Sequence, residues 1–347
     1  MDPRPQVSGG ELQAQAERLA ASAGFRGAAR ISDLPGGANN RVFLVELAEA
    51  RLLLKSYFRE GADSAERLGV EFGFSAFLWE NGLRQGARPL ARDEQALLAL
   101  YEYVEGRPCE KKDVTAETVR QAARFFHDIN LHRSLPQARA LPAARDACFS
   151  LSDHLSLVSK RLERFESVLG ASAASALERD ALAFVRTSVV PYWDLLRASM
   201  NQGEEPIPAE QRRLSPSDFG FHNALIAADG QVRFFDFEYA GWDDPAKMIV
   251  DFFSQVSVPV PEEHFDLFCG EAIGDADGGR EIKARATRVL AVHRLKWIFL
   301  MLNDFLPAVE GRRRFAFGAE GAEERKAKQL EKARRALKNL EERKWHT

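Results

Sequence analysis

The sequence predicts an α+β protein of two lobes, a small antiparallel-sheet lobe followed by a larger, mainly helical one. Three observations lead there. Short apolar or alternating runs separated by turn residues crowd the first hundred positions. Beyond about residue 115, apolar residues recur at helical spacing. A lone β island over residues 224–235 then interrupts the helical stretch. The bulk agrees, since 45% of the 347 residues are apolar and 29% charged, as in ordinary globular chains. A formal net charge of −3 speaks against a general nucleic-acid binder. No apolar run is long enough to span a membrane, and no apolar h-region opens the chain. Cys109, Cys148 and Cys269 are scattered and lack metal-ligand spacing. A reducing, cytoplasmic setting is therefore expected.

Each element has its own signal. Residues 28–34, 41–47 and 51–57 read as three strands joined by short connections, an antiparallel meander. Between the first two, Pro35-Gly36-Gly37-Ala38-Asn39-Asn40 is a turn in which Gly and Asn permit positive φ. A helix should open near Asp63 or Ser64 and stop at Asn81-Gly82. Residues 97–104 form a buried strand, closed by Glu105-Gly106-Arg107-Pro108. Val119, Ala122, Phe126 and Ile129 mark a helix over 115–132, begun by a threonine. A Pro- and Ala-rich connector over 135–144 precedes helices at about 151–169 and 177–199. A polar loop, 201–211, leads to the β island, and helices follow it. The expected organisation is a first lobe over 1–104, a helical lobe over 105–310 and a basic helix over 311–347. That last stretch carries twelve Lys or Arg against six Glu, with an apolar stripe of Leu330, Ala333, Leu337 and Leu340. Such a stripe docks on the body or on a partner.

Chemistry concentrates at the β island. Asp229-Gly230 between two apolar runs is a strong hairpin signal. If the strands pair about that turn without a bulge, Asn223 and Asp236 face one another, their Cβ atoms about 5 Å apart. An amide oxygen and a carboxylate meeting there suit Mg²⁺, which takes hard oxygen ligands. Asp218, five residues before Asn223, lies in the entering loop, placed to accept the proton of an attacking hydroxyl. The spacing D-x-x-x-x-N followed by an aspartate is that of a kinase catalytic loop and its metal site.

GGANNRVFLVEL with LLLK, YEYVEGRP, SPSDFGFHNALI and FFDFEYAGWDDP occur in that order over residues 20–255 or so. On these segments the chain resembles the aminoglycoside phosphotransferase and choline kinase family, a branch of the protein-kinase-like fold. The resemblance implies an ATP-dependent kinase of a small hydroxylated molecule (an amino alcohol, sugar or aminoglycoside). It implies Asp218 as catalytic base, Asn223 and Asp236 as Mg²⁺ ligands, and Lys55 on the ATP phosphates. An acidic residue on the following helix should hold that lysine. Glu71 is the choice, because it shares a face with Leu68, Ser75 and Leu78, and Glu66 is the fallback. Gly36 and Gly37 would let the backbone approach the phosphates, and Glu102, Tyr103 and Val104 would form the hinge that meets adenine.

Two positions depart from the family pattern. Pro216 stands where a histidine is usual, and Met248 where a second aspartate would follow Asp243-Asp244-Pro245. They keep a second reading in play, a non-catalytic nucleotide-binding or scaffolding module. Tyr239, Trp242 and Trp297 suggest an aromatic wall for a cationic acceptor, with core packing as the simpler role. Glu238, Asp243, Asp251 and Asp304 suggest acidity near the acceptor, with a solvated rim as the simpler role. His222 suggests a structural part in the loop, since Mg²⁺ seldom takes imidazole. The sequence gives no indication of oligomeric state.

Overall fold

Alternation along the first strands decides which side chains meet which helix. The computed structural model describes residues 9–34, 40–58, 63–173, 175–200, 206–274, 278–307, 309 and 321–342. After helix α1 (Gly9–Ser22), strands β1 (Arg30–Leu34), β2 (Asn40–Glu46) and β3 (Arg51–Tyr57) form the expected meander. Helix α2 (Ser64–Glu80) follows, then β4 (Pro89–Asp93) and β5 (Leu98–Glu102). The sheet runs β1-β2-β3-β5-β4, antiparallel throughout. Successive strand residues point to opposite faces. Leu52, Leu54, Leu98 and Leu100 therefore pack with Ala16, Leu19 and Ala20 of α1. Tyr57, Ala99 and Tyr101 pack with Leu68 of α2 on the other face. Lys55, in phase with Tyr57, is on the α2 side. The sequence reading had no place for α1 or β4. The first opens on Gly-Gly and its apolar residues are mostly alanine, and the second is an edge strand that begins at proline and carries a register shift between Pro89 and Ala91. Gly36 and Gly37 lie outside the described residues.

The second lobe opens with β6 (Arg107–Pro108) and α3 (Ala116–Leu131). Thr115 and Thr118 cap α3 reciprocally, each hydroxyl accepting the other's backbone N–H. A single turn, α4 (Pro136–Arg139), interrupts the connector before α5 (Leu151–Ser172). The one helix expected over 177–199 is α6 (Ala176–Phe184) and α7 (Val190–Ser199), joined by a π turn over Val185–Val189. Pro191, near the start of α7, supplies a reason: it has no amide to donate and crowds the carbonyl one turn back, and a widened turn relieves both.

Strands β7 (Arg213–Ser215) and β10 (Gly241–Asp243) pair with each other, while β8 (Ala224–Ile226) pairs with β6 and with β9 (Val232–Phe234). Helices α8 (Pro245–Phe252), α9 (Phe265–Ile273) and α10 (Gly279–Leu302) complete the body. A final helix, Ala322–Glu342, buries Leu330, Ala333, Leu337 and Leu340 in the main core, and Arg334 reaches Asp180 at 2.6 Å. Among the described residues no helix is long and apolar enough to cross a membrane.

The main core reaches into the first lobe through α2. Phe74 meets Phe237 at 5.3 Å, Phe125 stacks on Phe234 at 5.1 Å, and Phe219 meets Phe234 at 4.8 Å between ring centroids. Burying each such ring stabilises by about 1.5–3 kcal/mol. The catalytic-loop aspartate of the sequence reading thus sits next to Phe219, an anchored aromatic. One strand of the hairpin is also tied to the first lobe, where Phe234 N–H donates to Gln85 O at 2.7 Å.

Candidate active site

On the inner face of β3, Lys55 Nζ lies 2.6 Å from Glu71 Oε2 on α2 and 2.5 Å from Asp236 Oδ1. Tyr57, two residues along the same strand face, donates its hydroxyl to the same Glu71 oxygen at 2.6 Å. Glu66, the fallback, has no contact with Lys55 among those described. Burial alone would lower the lysine's pKa, but the carboxylates of Asp236, Glu71 and Glu238 overcome it and hold the ammonium well above its usual value. Glu71 goes the other way. Its burial outweighs the attraction of Lys55, and its pKa rises to about 7. Asp236 is raised for the same reasons, with Glu238 adding repulsion.

The charge count explains why. Carboxylate oxygens of Glu71, Asp236 and Glu238 lie within 4.8 Å of one another. Two cations face these three acids, Lys55 and Arg67, the latter 3.2 Å from Glu238 Oε2. Asn40 Nδ2 donates to that oxygen as well, at 2.8 Å, while Glu238 Oε1 is buried without a partner. A cluster with surplus negative charge and a bare buried oxygen is chemically suited to a hard divalent cation. The sequence reading missed Arg67 and Asn40 here. Arg67 had a signal, since it lies one turn before Glu71 on the same helix face. Asn40, expected in the turn, instead begins β2 and is buried.

The loop from β7 into the hairpin holds Asp218. Ser217 turns the chain with φ +67, a region costly for a residue with a Cβ. Asn223 Nδ2 donates to Asp218 O at 2.9 Å and to its Oδ2 at 3.3 Å. With its NH₂ so engaged, the amide presents its Oδ1 away from Asp218, as an oxygen free to meet a cation. His222 Nε2 lies 3.1 Å from Asp218 Oδ1. Burial would raise the Asp218 pKa, but the bonds from His222 and Asn223 outweigh it and lower the value. The side chain keeps 37% of its surface exposed, so a solute can reach it. His222 Nδ1, by contrast, is buried and unpartnered, which costs about 1–3 kcal/mol.

One expectation about the hairpin fails. Ala224 pairs with Phe234 and Ile226 with Val232, so Asn223 lies opposite Phe235, whose N–H donates to Asn223 O at 3.1 Å. Asp236 is not opposite Asn223. The turn is the cause, for Ala227 N–H bonds Gln231 O at 3.0 Å and Gly230 adopts φ +77. That is a three-residue loop with glycine in the left-handed position, which shifts the register by one. Asp236 falls beyond the paired strand and turns the chain at φ +68, and from there its carboxylate meets Lys55.

The expected solvated acidic rim is corrected. Glu238, Asp243, Asp251 and Asp304 are all buried. Asp243 bonds Lys247 at 2.6 Å, and Asp251 accepts from Lys296, from His293 Nδ1 at 3.1 Å and from Trp297 Nε1 at 3.2 Å. His293 in turn meets His154 at 2.9 Å, and His154 meets Asp244, which Arg285 grips through both oxygens at 2.8 and 2.9 Å. The three aromatics expected to form a wall each have other contacts. Trp242 donates to Ala138 O, Tyr239 lies under Arg145, and Trp297 stands edge-on to His222. Of the residues expected to form a hinge, Glu102 donates its N–H to Arg88 O at 2.8 Å and Tyr103 its N–H to Arg51 O at 3.3 Å.

Comparison with known proteins agrees with this architecture. Residues 30–265 match the model of the phosphotransferase enzyme family. Among solved structures, a choline kinase from Cryptosporidium parvum superposes with a TM-score of 0.59 at 12% identity, covering 92% of this chain and 91% of that one. An ethanolamine kinase from Plasmodium vivax gives 0.58 at 14% identity, covering 96% and 91%. A spectinomycin phosphotransferase, solved with ADP and spectinomycin, gives 0.58 at 12% identity, covering 97% and 98%. These likenesses establish a shared two-lobed, kinase-like fold. No curated protein matches the chain.

Proposed function

The chain belongs to the phosphotransferase enzyme family, and from that premise we propose that it moves the γ-phosphoryl group of ATP, with Mg²⁺, to a hydroxyl of a small molecule. The observation that supports this most is a single convergence. A half-buried carboxylate (Asp218) oriented by an amide (Asn223) lies close enough to Asp236 to repel its charge, and Asp236 shares a lysine (Lys55) with Glu71.

In this reading Asp218 accepts the proton of the acceptor hydroxyl. Its lowered pKa keeps it ionised at neutral pH, and its two oxygens are oriented by His222 and Asn223. Asn223 Oδ1 and an Asp236 oxygen would hold Mg²⁺, with Glu238 behind them. Mg²⁺ with ATP, when bound, supplies the phosphoryl group and neutralises charge developing on its oxygens. Lys55 would trade Asp236 for a phosphate oxygen while Glu71 keeps hold of the ammonium. Adenine would be read at the hinge by Val104 or by carbonyl oxygens, since the Glu102 and Tyr103 amides are engaged. Gly36 and Gly37 would cover the phosphates. Positioning and charge stabilisation are then most of the catalysis.

The test is ADP release from Mg·ATP against amino alcohols, sugars, nucleosides and aminoglycosides. Acceptor-dependent release is expected, and Asp218→Asn should abolish it while leaving ATP affinity within a few-fold. Full turnover by that variant would refute the assignment. ATP binding without transfer to any acceptor or to water would instead favour the non-catalytic module.

A further inference from the structure

Resting on the phosphotransfer reading, we propose that His222 is a positioning residue that sets the rotation of the Asp218 carboxylate. The segment before Asp218 has little to orient it with. Pro216 has no N–H and no polar side chain, and Ser217 N–H is engaged by Ser215 Oγ at 3.0 Å. The carboxylate is therefore fixed from downstream, where Asn223 donates to Oδ2 and His222 Nε2 to Oδ1. Asn223 cannot do this alone, because it reaches only one of the two carboxylate oxygens, and its shorter bond is to Asp218 O.

The imidazole is itself clamped. On one side is Gly220, where an added Cβ would come 2.8 Å from Nδ1 and 3.0 Å from Cε1 of the ring. Gly220 has φ 168, an extended backbone open to any residue, so the glycine serves the space the ring occupies. On the other side the Trp297 ring stands at 90° with centroids 6.2 Å apart, and its own Nε1 is tied to Asp251. Held this way, the ring has one polar contact, Nε2 to Asp218, and a bare Nδ1. An apolar side chain of the same bulk would fill the slot without stranding a nitrogen. The polar function of the ring is therefore its bond to Asp218.

The experiment compares ADP release by the wild type, His222→Ala, His222→Gln and His222→Asn, using the best acceptor of the panel above, or water where none exceeds it. The Gln amide nitrogen reaches the place of Nε2, whereas the Asn amide falls near Nδ1. Losing a hydrogen bond to a charged group predicts kcat for His222→Ala lower by roughly 10- to 100-fold, with KM for ATP unchanged within about twofold. His222→Gln should recover most of the loss and His222→Asn little. An unchanged kcat in His222→Ala would overturn the inference. So would a His222→Gln variant as slow as Ala at equal thermal stability, since a purely steric role would then suffice. No ADP release by the wild type under any condition would overturn the phosphotransfer reading, and the inference with it.

Discussion

At Arg67 a guanidinium with 1% exposure meets Glu238, 171 positions away in the sequence, and the pair joins α2 to the chain beyond the hairpin. Breaking a buried pair strands a charge, which costs about 3–5 kcal/mol, whereas replacing both partners by apolar groups costs far less. Arg67→Met should therefore lower unfolding stability by about 3–5 kcal/mol in urea. Arg67→Met with Glu238→Leu should lose less than Arg67→Met alone, a coupling that equilibrium unfolding of all four forms measures directly. Residues of this kind were the hard ones to read. Glu71 could be chosen because spacing along one helix fixes its face. The partner of Glu238 depends on two elements far apart in sequence, and no local period reports that.

At the level of elements, the hairpin was legible and its register was not. Asp229-Gly230 announced the turn, but two- and three-residue loops share that signal, and the difference of one residue moved Asp236 off its expected partner. Helix pairing behind the site yields a pH dependence. His293 on α10 is fully buried against α8 and α5, and that burial pushes its pKa down to about 3, despite Asp251 beside it. Above about pH 6.5 the ring is neutral in both folded and unfolded chains. Between that pH and about 3, the unfolded chain binds a proton that the folded one refuses, so stability falls as pH falls. His293→Gln should be less stable at pH 8 yet show a shallower decline of melting temperature across that window. A slope identical to wild type would show that other groups carry it.

For the molecule as a whole, the two-lobed α+β plan followed from the order of periodicities, and the resemblance named its class. The additions are α1, which packs on the sheet, and β4, which forms its edge; neither has a local pattern that stands out until the rest of the sheet exists. Ligand linkage tests how the lobes cooperate. At a hundredfold excess over its dissociation constant, Mg·ATP should stabilise the wild type by about 2.7 kcal/mol. In Asp236→Asn the Mg²⁺-dependent part of that shift should vanish. A thermal shift equal to wild type would remove Asp236 from the metal site.

Under the proposed function, the contact between Lys55 and Asp236 would make nucleotide binding in part an ion exchange. The ammonium has three N–H donors, with Glu71 and Asp236 on two of them, and a phosphate that displaced Asp236 would leave that carboxylate unbalanced among Glu71 and Glu238. A divalent cation arriving in the same event would neutralise that carboxylate, so both halves of the swap would proceed together. Nucleotide without metal completes only one half. It follows that metal-free ATP should bind far more weakly than charge attraction to Lys55 alone would suggest, and that the two ligands should each raise the affinity for the other by the same factor.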